Sequence, residues 1–201
     1  MSDRTPKNQD NPSETPQHDT INNPGRRKLA GAALGAGAVF TLASRPVWAN
    51  QCTISGMASG NLSAPKVTCA GCTPGYWKED QHLDAWLPTG FRPVDAIDAL
   101  QKADTFNAVF GVTQYVRPNG TPYTLLEVMR ELNGNGNGKA DPISTNLGFH
   151  AVAALLNAAH PDVNYGYTSG EIINLFRDNM HNGAALKDSF DMLNSRGCPL
   201  N

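Results

Sequence analysis

The chain has 201 residues, 40% of them hydrophobic and 17% charged, with a formal net charge of −2. That apolar content excludes a wholly disordered chain, and the charge balance lacks the basic excess of a nucleic-acid-binding protein. No run of 18 strongly apolar residues marks a membrane span, and no collagen-like triplet, heptad array or longer repeat is visible.

Residues 1–25 are polar and rich in Pro, Asn, Asp and Thr, too poor in apolar surface to offset the entropy of an ordered chain. Arg26-Arg27-Lys28 follows, then the weakly hydrophobic run Leu29–Ala43, then Val47-Trp48-Ala49 as a near-match to an A-x-A cleavage site. This order of charged, apolar and small residues predicts a signal peptide cut after Ala49. The paired arginines, the Ala/Gly-rich run and Arg45 near the cut resemble a twin-arginine leader. Gly25 stands where that pattern has Ser or Thr, and Leu29 where it has Phe. A general secretory signal, or a membrane-anchoring or buried helix, is the alternative reading of the same run. Cleavage after Ala49 would leave one mature domain, residues 50–201, with ten basic and fourteen acidic residues and a net charge of −4. Its compartment would be periplasmic or extracellular.

All four cysteines, Cys52, Cys69, Cys72 and Cys198, lie in that domain. An even set behind an export signal predicts two disulfides, and Cys52–Cys69 with Cys72–Cys198 is the preferred pairing of the three possible. A redox-active pair at Cys69-Ala70-Gly71-Cys72 is the second reading, but a turn signature, Thr73-Pro74-Gly75, follows it where a redox site needs a helix. A zinc site is the third, and it lacks a second closely spaced ligand pair. Thr73 after Cys72 excludes a c-type haem attachment.

From residue 50 to 71 the chain has little periodicity and reads as surface loop with short extended pieces. Beyond it the signals are helical. Tyr76–Leu87 spaces Trp77 and Trp86 nine apart around Leu83, which predicts one or two helical turns packing both rings inward. Pro93–Phe110 fits one bent helix or two short ones. Thr121-Pro122 reads as an N-cap with Pro at the first helical position, opening Tyr123–Leu132, which the run Asn133–Gly138 must end. Apolar residues surround the axis of Thr145–Ala159 almost completely, predicting a central buried helix stopped by Pro161. Thr168-x-x-Glu171 is a capping box for a helix running to about Met180. A last helix covers roughly Ala184–Leu193, with Lys187 and Asp191 as an i, i+4 pair. The expected fold class is mainly α: a compact bundle of about five short helices with a loop-rich, disulfide-tied N-terminal segment.

Two stretches carry a family resemblance. Cys72-Thr73-Pro74-Gly75-Tyr76-Trp77-Lys78 resembles the C-T-x-G-Y/F-W-K signature of a group of small secreted bacterial domains. His150–Ala158 (HAVAALLNA), followed by Val163-Asn164-Tyr165, resembles the second half of the same group. The likeness spans most of residues 72–178 and leaves out 50–70. It implies an exported domain and brings no established set of catalytic residues.

Candidate chemistry is thin. Asn133, Asn135, Asn137, Gly138 and Asp141 fall at calcium-loop positions, but Ser144 stands where a bidentate Glu belongs and the early ligands are neutral. A helix-ending loop explains the same alternation of Asn and Gly. Asn146, His150, Asn157 and His160 form one stripe of a helical period, either lining a pocket or hydrogen-bonding buried backbone. His82 and Asp84 could form an acid–base pair or flank an aromatic platform, and Tyr76, Trp77 and Lys78 could offer a cation–π stack; a polar face beside two core indoles is the plainer reading. No G-x-S-x-G, H-E-x-x-H or Walker-type loop is present. The preferred expectation is a non-catalytic structural or interaction domain, without cofactor, whose partner is a protein or envelope polymer, not nucleic acid. An enzyme acting on envelope or extracellular polymers through His82, Asp84 and His150 is the alternative, and a metal-binding carrier the third.

Overall fold

A helix whose sequence leaves it no solvent face must lie in the middle, and the segment Leu147–Ala159 does. In the computed structural model, residues 52–55, 68–95, 102–134 and 140–201 are described. The expected leader, with Arg26, Arg27 and the cut after Ala49, lies outside them. Six α-helices are described: α1 Pro74–Lys78, α2 Phe106–Phe110, α3 Leu125–Glu131, α4 Leu147–Ala159, α5 Ser169–Asn179 and α6 Gly183–Asn194. Two 3-10 segments, Asp80–Thr89 and Met180–Asn182, complete the helical part, and no strand occurs among the described residues, only isolated bridges. The protein is mainly helical, as its periodicity predicts.

Helix α4 packs against α1, α3, α5 and α6. Ala151, Val152, Ala153, Ala154, Leu155 and Leu156 are all fully buried. His160, extended at φ −76 and ψ 126, ends it one residue before Pro161. Close packing is purchased with small residues at one point: a Cβ on Gly148 would sit 2.7 Å from the Tyr115 ring and 2.8 Å from a Val128 methyl. Around this helix, Phe106, Phe110, Tyr115 and Phe176 form an aromatic cluster, with the Phe106 and Tyr115 centroids 3.9 Å apart.

The two indoles behave as core, in line with their spacing. Trp77 and Trp86 are fully buried, and the Trp86 Nε1–H donates to the Trp77 carbonyl at 3.0 Å. Of Pro93–Phe110, only Phe106–Phe110 is helical among the described residues, and Gly111 at φ 65 stops it.

The start of α3 differs from the expectation. Thr121 is not its N-cap; Thr124 is, and Glu127 closes a capping box with it. The physical reason lies upstream. The Arg117 N–H donates to the Thr121 carbonyl and the Tyr123 N–H to the Tyr115 carbonyl, so Pro122 sits in a hairpin-like turn instead of a first helical turn. Thr124-x-x-Glu127 satisfies two end donors reciprocally, whereas Thr121 has no carboxylate three residues on. Arg117 then lies 4.3 Å from the Tyr123 ring centroid, forming the cation–π contact of the domain's described part.

The capping box at Thr168 and Glu171 forms as its spacing requires, opening α5. Helix α6 begins at Gly183, against Ser144. The Lys187–Asp191 pair does not form. Lys187 bridges to the adjacent Asp188 at 2.6 Å, and Asp191 turns toward His150 instead.

Both expected disulfides are present, Cys52–Cys69 and Cys72–Cys198. Cys52–Cys69 joins the stretch 68–72 to residue 52, and Cys72–Cys198 joins it to the segment after α6. Its Ala70 N–H donates to the Asn164 carbonyl, and Gly71 forms an antiparallel bridge with Gly197.

Candidate functional site

The most developed polar arrangement is buried, between α4, α6 and the stretch around Cys72. Asn157, fully buried, accepts at Oδ1 from the Cys72 N–H at 2.8 Å and from the Trp77 indole N–H at 3.2 Å. Its Nδ2 donates to the Cys72 carbonyl at 2.8 Å and to Asn194 Oδ1 at 3.0 Å. Asn194 Oδ1 also accepts from the Tyr165 hydroxyl at 2.8 Å, while its Nδ2 donates to the His150 carbonyl at 3.0 Å. Burial pushes the Tyr165 hydroxyl well above its ordinary pKa, so it stays a donor. Every hydrogen-bonding position of the Asn157 amide is filled, which is what a polar group inside an apolar helix requires.

A second anchor is Asp141. Its Oδ1 accepts from the Tyr115 hydroxyl at 3.1 Å and from the Ile143 and Ser144 amides, and its Oδ2 from the Gly148 amide at 2.7 Å. Asn146 precedes α4 in a left-handed conformation and makes no side-chain cap, so Asp141 is the acceptor for the Gly148 amide in the first turn of that helix. Burial, opposed by those hydrogen bonds, holds its carboxyl above the ordinary carboxylate range. Of the calcium-loop candidates, Asp141 is therefore engaged by protein donors on both oxygens. Asn133 donates from Nδ2 to the Met129 and Arg130 carbonyls, closing α3. Asn135, Asn137 and Gly138 lie outside the described residues. Among the described residues, no group of three or more His, Cys, Asp or Glu side chains is placed to hold a metal ion.

The helical stripe does not converge on one pocket. Asn157 belongs to the buried network. His160 accepts at Nδ1 from the Asp162 amide and lies tilted against Trp77. Asn146 Oδ1 is buried with no hydrogen-bond partner. His150 faces α6, its Nδ1 buried without a hydrogen bond and 3.7 Å from Asp191 Oδ1.

The suspected acid–base residues occupy separate neighbourhoods. His82 stacks on Tyr76 with ring centroids 4.0 Å apart. Tyr76 in turn packs edge-on against Trp77 and donates its hydroxyl to the Leu200 carbonyl. Asp84 accepts from the amide of the next residue, Ala85. No hydrogen bond, ion pair or ring contact of the described residues joins His82 or Asp84 to His150. Lys78 directs its charge to Glu79 at 4.0 Å, and buried Trp77 offers it no open face. A groove of about 590 Å³ lies between Pro93–Asp95, Ala103 and the Leu126–Glu131 side of α3, and none of these suspects lines it.

Sequence reasoning missed Asn194 and the role of Asp141. Asn194 ends a helix like many polar residues, and its partners are 29, 37 and 44 positions away, beyond any local pattern. Asp141 before the α4 segment carried a signal, since an acidic residue favours a helix N-terminus.

Burial lowers the pKa of His150 below its ordinary 6.5; Asp191 and Asp188 oppose this and Lys187 adds to it. The unfolded imidazole then binds its proton at a higher pH than the folded one, so stability rises with pH across that interval. His150 costs nothing above about pH 6.5 and destabilises as the pH falls through that value. Thermal unfolding from pH 7.5 to 5 should show the wild-type midpoint falling more steeply than that of His150→Gln. Parallel curves would contradict the assignment.

Comparison with protein-family models, curated proteins and solved structures finds no match to this chain.

Proposed function

We propose that the chain is an exported, disulfide-stabilised helical domain with a structural or interaction role at the cell envelope or outside the cell. The observation that carries this reading is the pairing of all four cysteines, Cys52 with Cys69 and Cys72 with Cys198. Paired cysteines persist in oxidising compartments and are rare where thiols are kept reduced. All four follow the leader-like segment that ends at Ala49. The resemblance to small secreted bacterial domains points the same way.

A structural or interaction role is favoured because Asn157 of the stripe and Asn133 and Asp141 of the loop make their hydrogen bonds within the fold itself. Asn157, Asn194 and Asp141 satisfy buried backbone donors and acceptors. His82, Asp84 and His150 sit apart. The partner class this reading implies is a protein or an envelope polymer, and a net charge of −4 over residues 50–201 weighs against nucleic acid. No helix among the described residues is long and apolar enough to cross a membrane.

The export reading is tested by fusing residues 1–49 to a reporter whose location is read by cell fractionation. The reporter should leave the cytoplasm, and Arg26→Lys with Arg27→Lys should stop it. A reporter retained behind the intact leader would contradict the reading, and export unaffected by the two substitutions would assign the general secretory route.

A further inference from the structure

We propose that Asn157 is a positioning residue for oxidative folding: its carboxamide grips both sides of the Cys72 backbone and so selects Cys198, not the neighbouring Cys69, as the partner of Cys72. The proposal concerns how the chain acquires its disulfides and does not depend on where the protein acts.

The observed connectivity needs a cause. Cys69 and Cys72 are three positions apart, whereas Cys198 is 126 positions from Cys72. Closing a long loop costs more chain entropy than closing a short one, so proximity in sequence favours the wrong pair. Something must hold Cys72 against the C-terminal part of the fold before its sulfur reacts.

Asn157 supplies that hold. Its Oδ1 accepts from the Cys72 N–H and its Nδ2 donates to the Cys72 carbonyl, both at 2.8 Å. Two bonds to one residue fix both its position and its rotation relative to α4. The same Nδ2 reaches Asn194 on α6, four residues before Cys198. The flanking residues are already paired, because the Gly71 N–H donates to the Gly197 carbonyl at 3.0 Å. Gly71 permits this approach, since a Cβ there would collide with the Leu193 carbonyl.

Cys69 is held in a different direction. On one side of it the Thr68 carbonyl accepts from Asn164 Nδ2 at 3.1 Å, and on the other the Ala70 N–H donates to the Asn164 carbonyl at 3.0 Å. None of these contacts uses a thiol, so each can form while the cysteines are reduced. Oxidation then removes two electrons and two protons from the Cys72 and Cys198 thiols as one S–S bond forms. A small-molecule disulfide such as oxidised glutathione takes them up and becomes two thiols.

The full chain, reduced and unfolded, is allowed to refold in a glutathione redox buffer, and the disulfides of all monomeric chains, folded or not, are mapped by proteolysis and mass spectrometry. The wild type should give Cys72–Cys198. In Asn157→Leu the ratio of Cys72–Cys198 to Cys69–Cys72 should fall by about tenfold or more, because two buried backbone groups lose their partner. Asn157→Asp keeps an acceptor for the Cys72 N–H and loses the donor to its carbonyl, so it should fall between. Leu155→Ala, on the same helix and fully buried, serves as the control for general destabilisation. It should lower the folded yield and leave the pairing native, and rescue of pairing should follow the Asn157 amide alone. Native pairing in both Asn157 variants would overturn the proposal. So would mispairing in Leu155→Ala equal to that in Asn157→Leu.

Discussion

Replacing Cys72 and Cys198 together with alanine should lower the stability of the domain by about 4–5 kcal/mol, read from denaturant unfolding. The cross-link spans 126 positions, and the entropy it removes from the unfolded chain grows with the logarithm of that span. The matching replacement of Cys52 and Cys69, 17 positions apart, should cost about 3 kcal/mol on the same reasoning. The larger loss also has a local component, because Cys72 is fully buried at the end of the Asn157 network. Equal losses for the two pairs, or the reverse order, would contradict this ranking.

Asn157→Ala should be of comparable size, about 3–5 kcal/mol in the same measurement. The substitution strands the Cys72 N–H and carbonyl and the Trp77 indole N–H, all in buried surroundings. Each stranded group costs about 1–3 kcal/mol, and the losses are not additive because the groups share one partner. Asn194 also loses a donor, though its Oδ1 keeps the Tyr165 hydroxyl. The control is Asn164→Ala, whose side chain holds the Thr68 carbonyl at an exposed position and should cost less than about 1 kcal/mol. Similar small losses for the two asparagines would contradict an organising role for the buried network.

The central helix was legible because its alanines, leucines and valines run all round the axis, and the capping box at Thr168 and Glu171 because three residues of spacing suffice to form it. The cysteine pairing was legible only as a preference among three, from the even count and from a closure that ties Cys72 to the C-terminal end. Thr121 misled because an N-cap followed by proline is also the grammar of a turn, and the bonds Arg117 N–H to Thr121 and Tyr123 N–H to Tyr115 decide for the turn. Lys187 and Asp191 misled because helical spacing ignores what faces the helix, here His150.

The candidate site was legible as a stripe of polar residues on α4, but its meaning was not. Asn157 looks the same in sequence whether it lines a pocket or fills a buried bond, since its partners Cys72 and Asn194 lie 85 and 37 positions away. In sequence Asp141 falls at a calcium-loop position, whereas its carboxylate accepts from the Gly148 amide of the helix that follows.

Intact mass of the protein recovered from the periplasm or medium, before and after reduction, tests most directly that this chain is a cleaved, doubly oxidised domain. A mass beginning at Asn50 and rising by four hydrogens on reduction is the predicted result. A mass that retains residues 1–49, or one that reduction leaves unchanged, would contradict it.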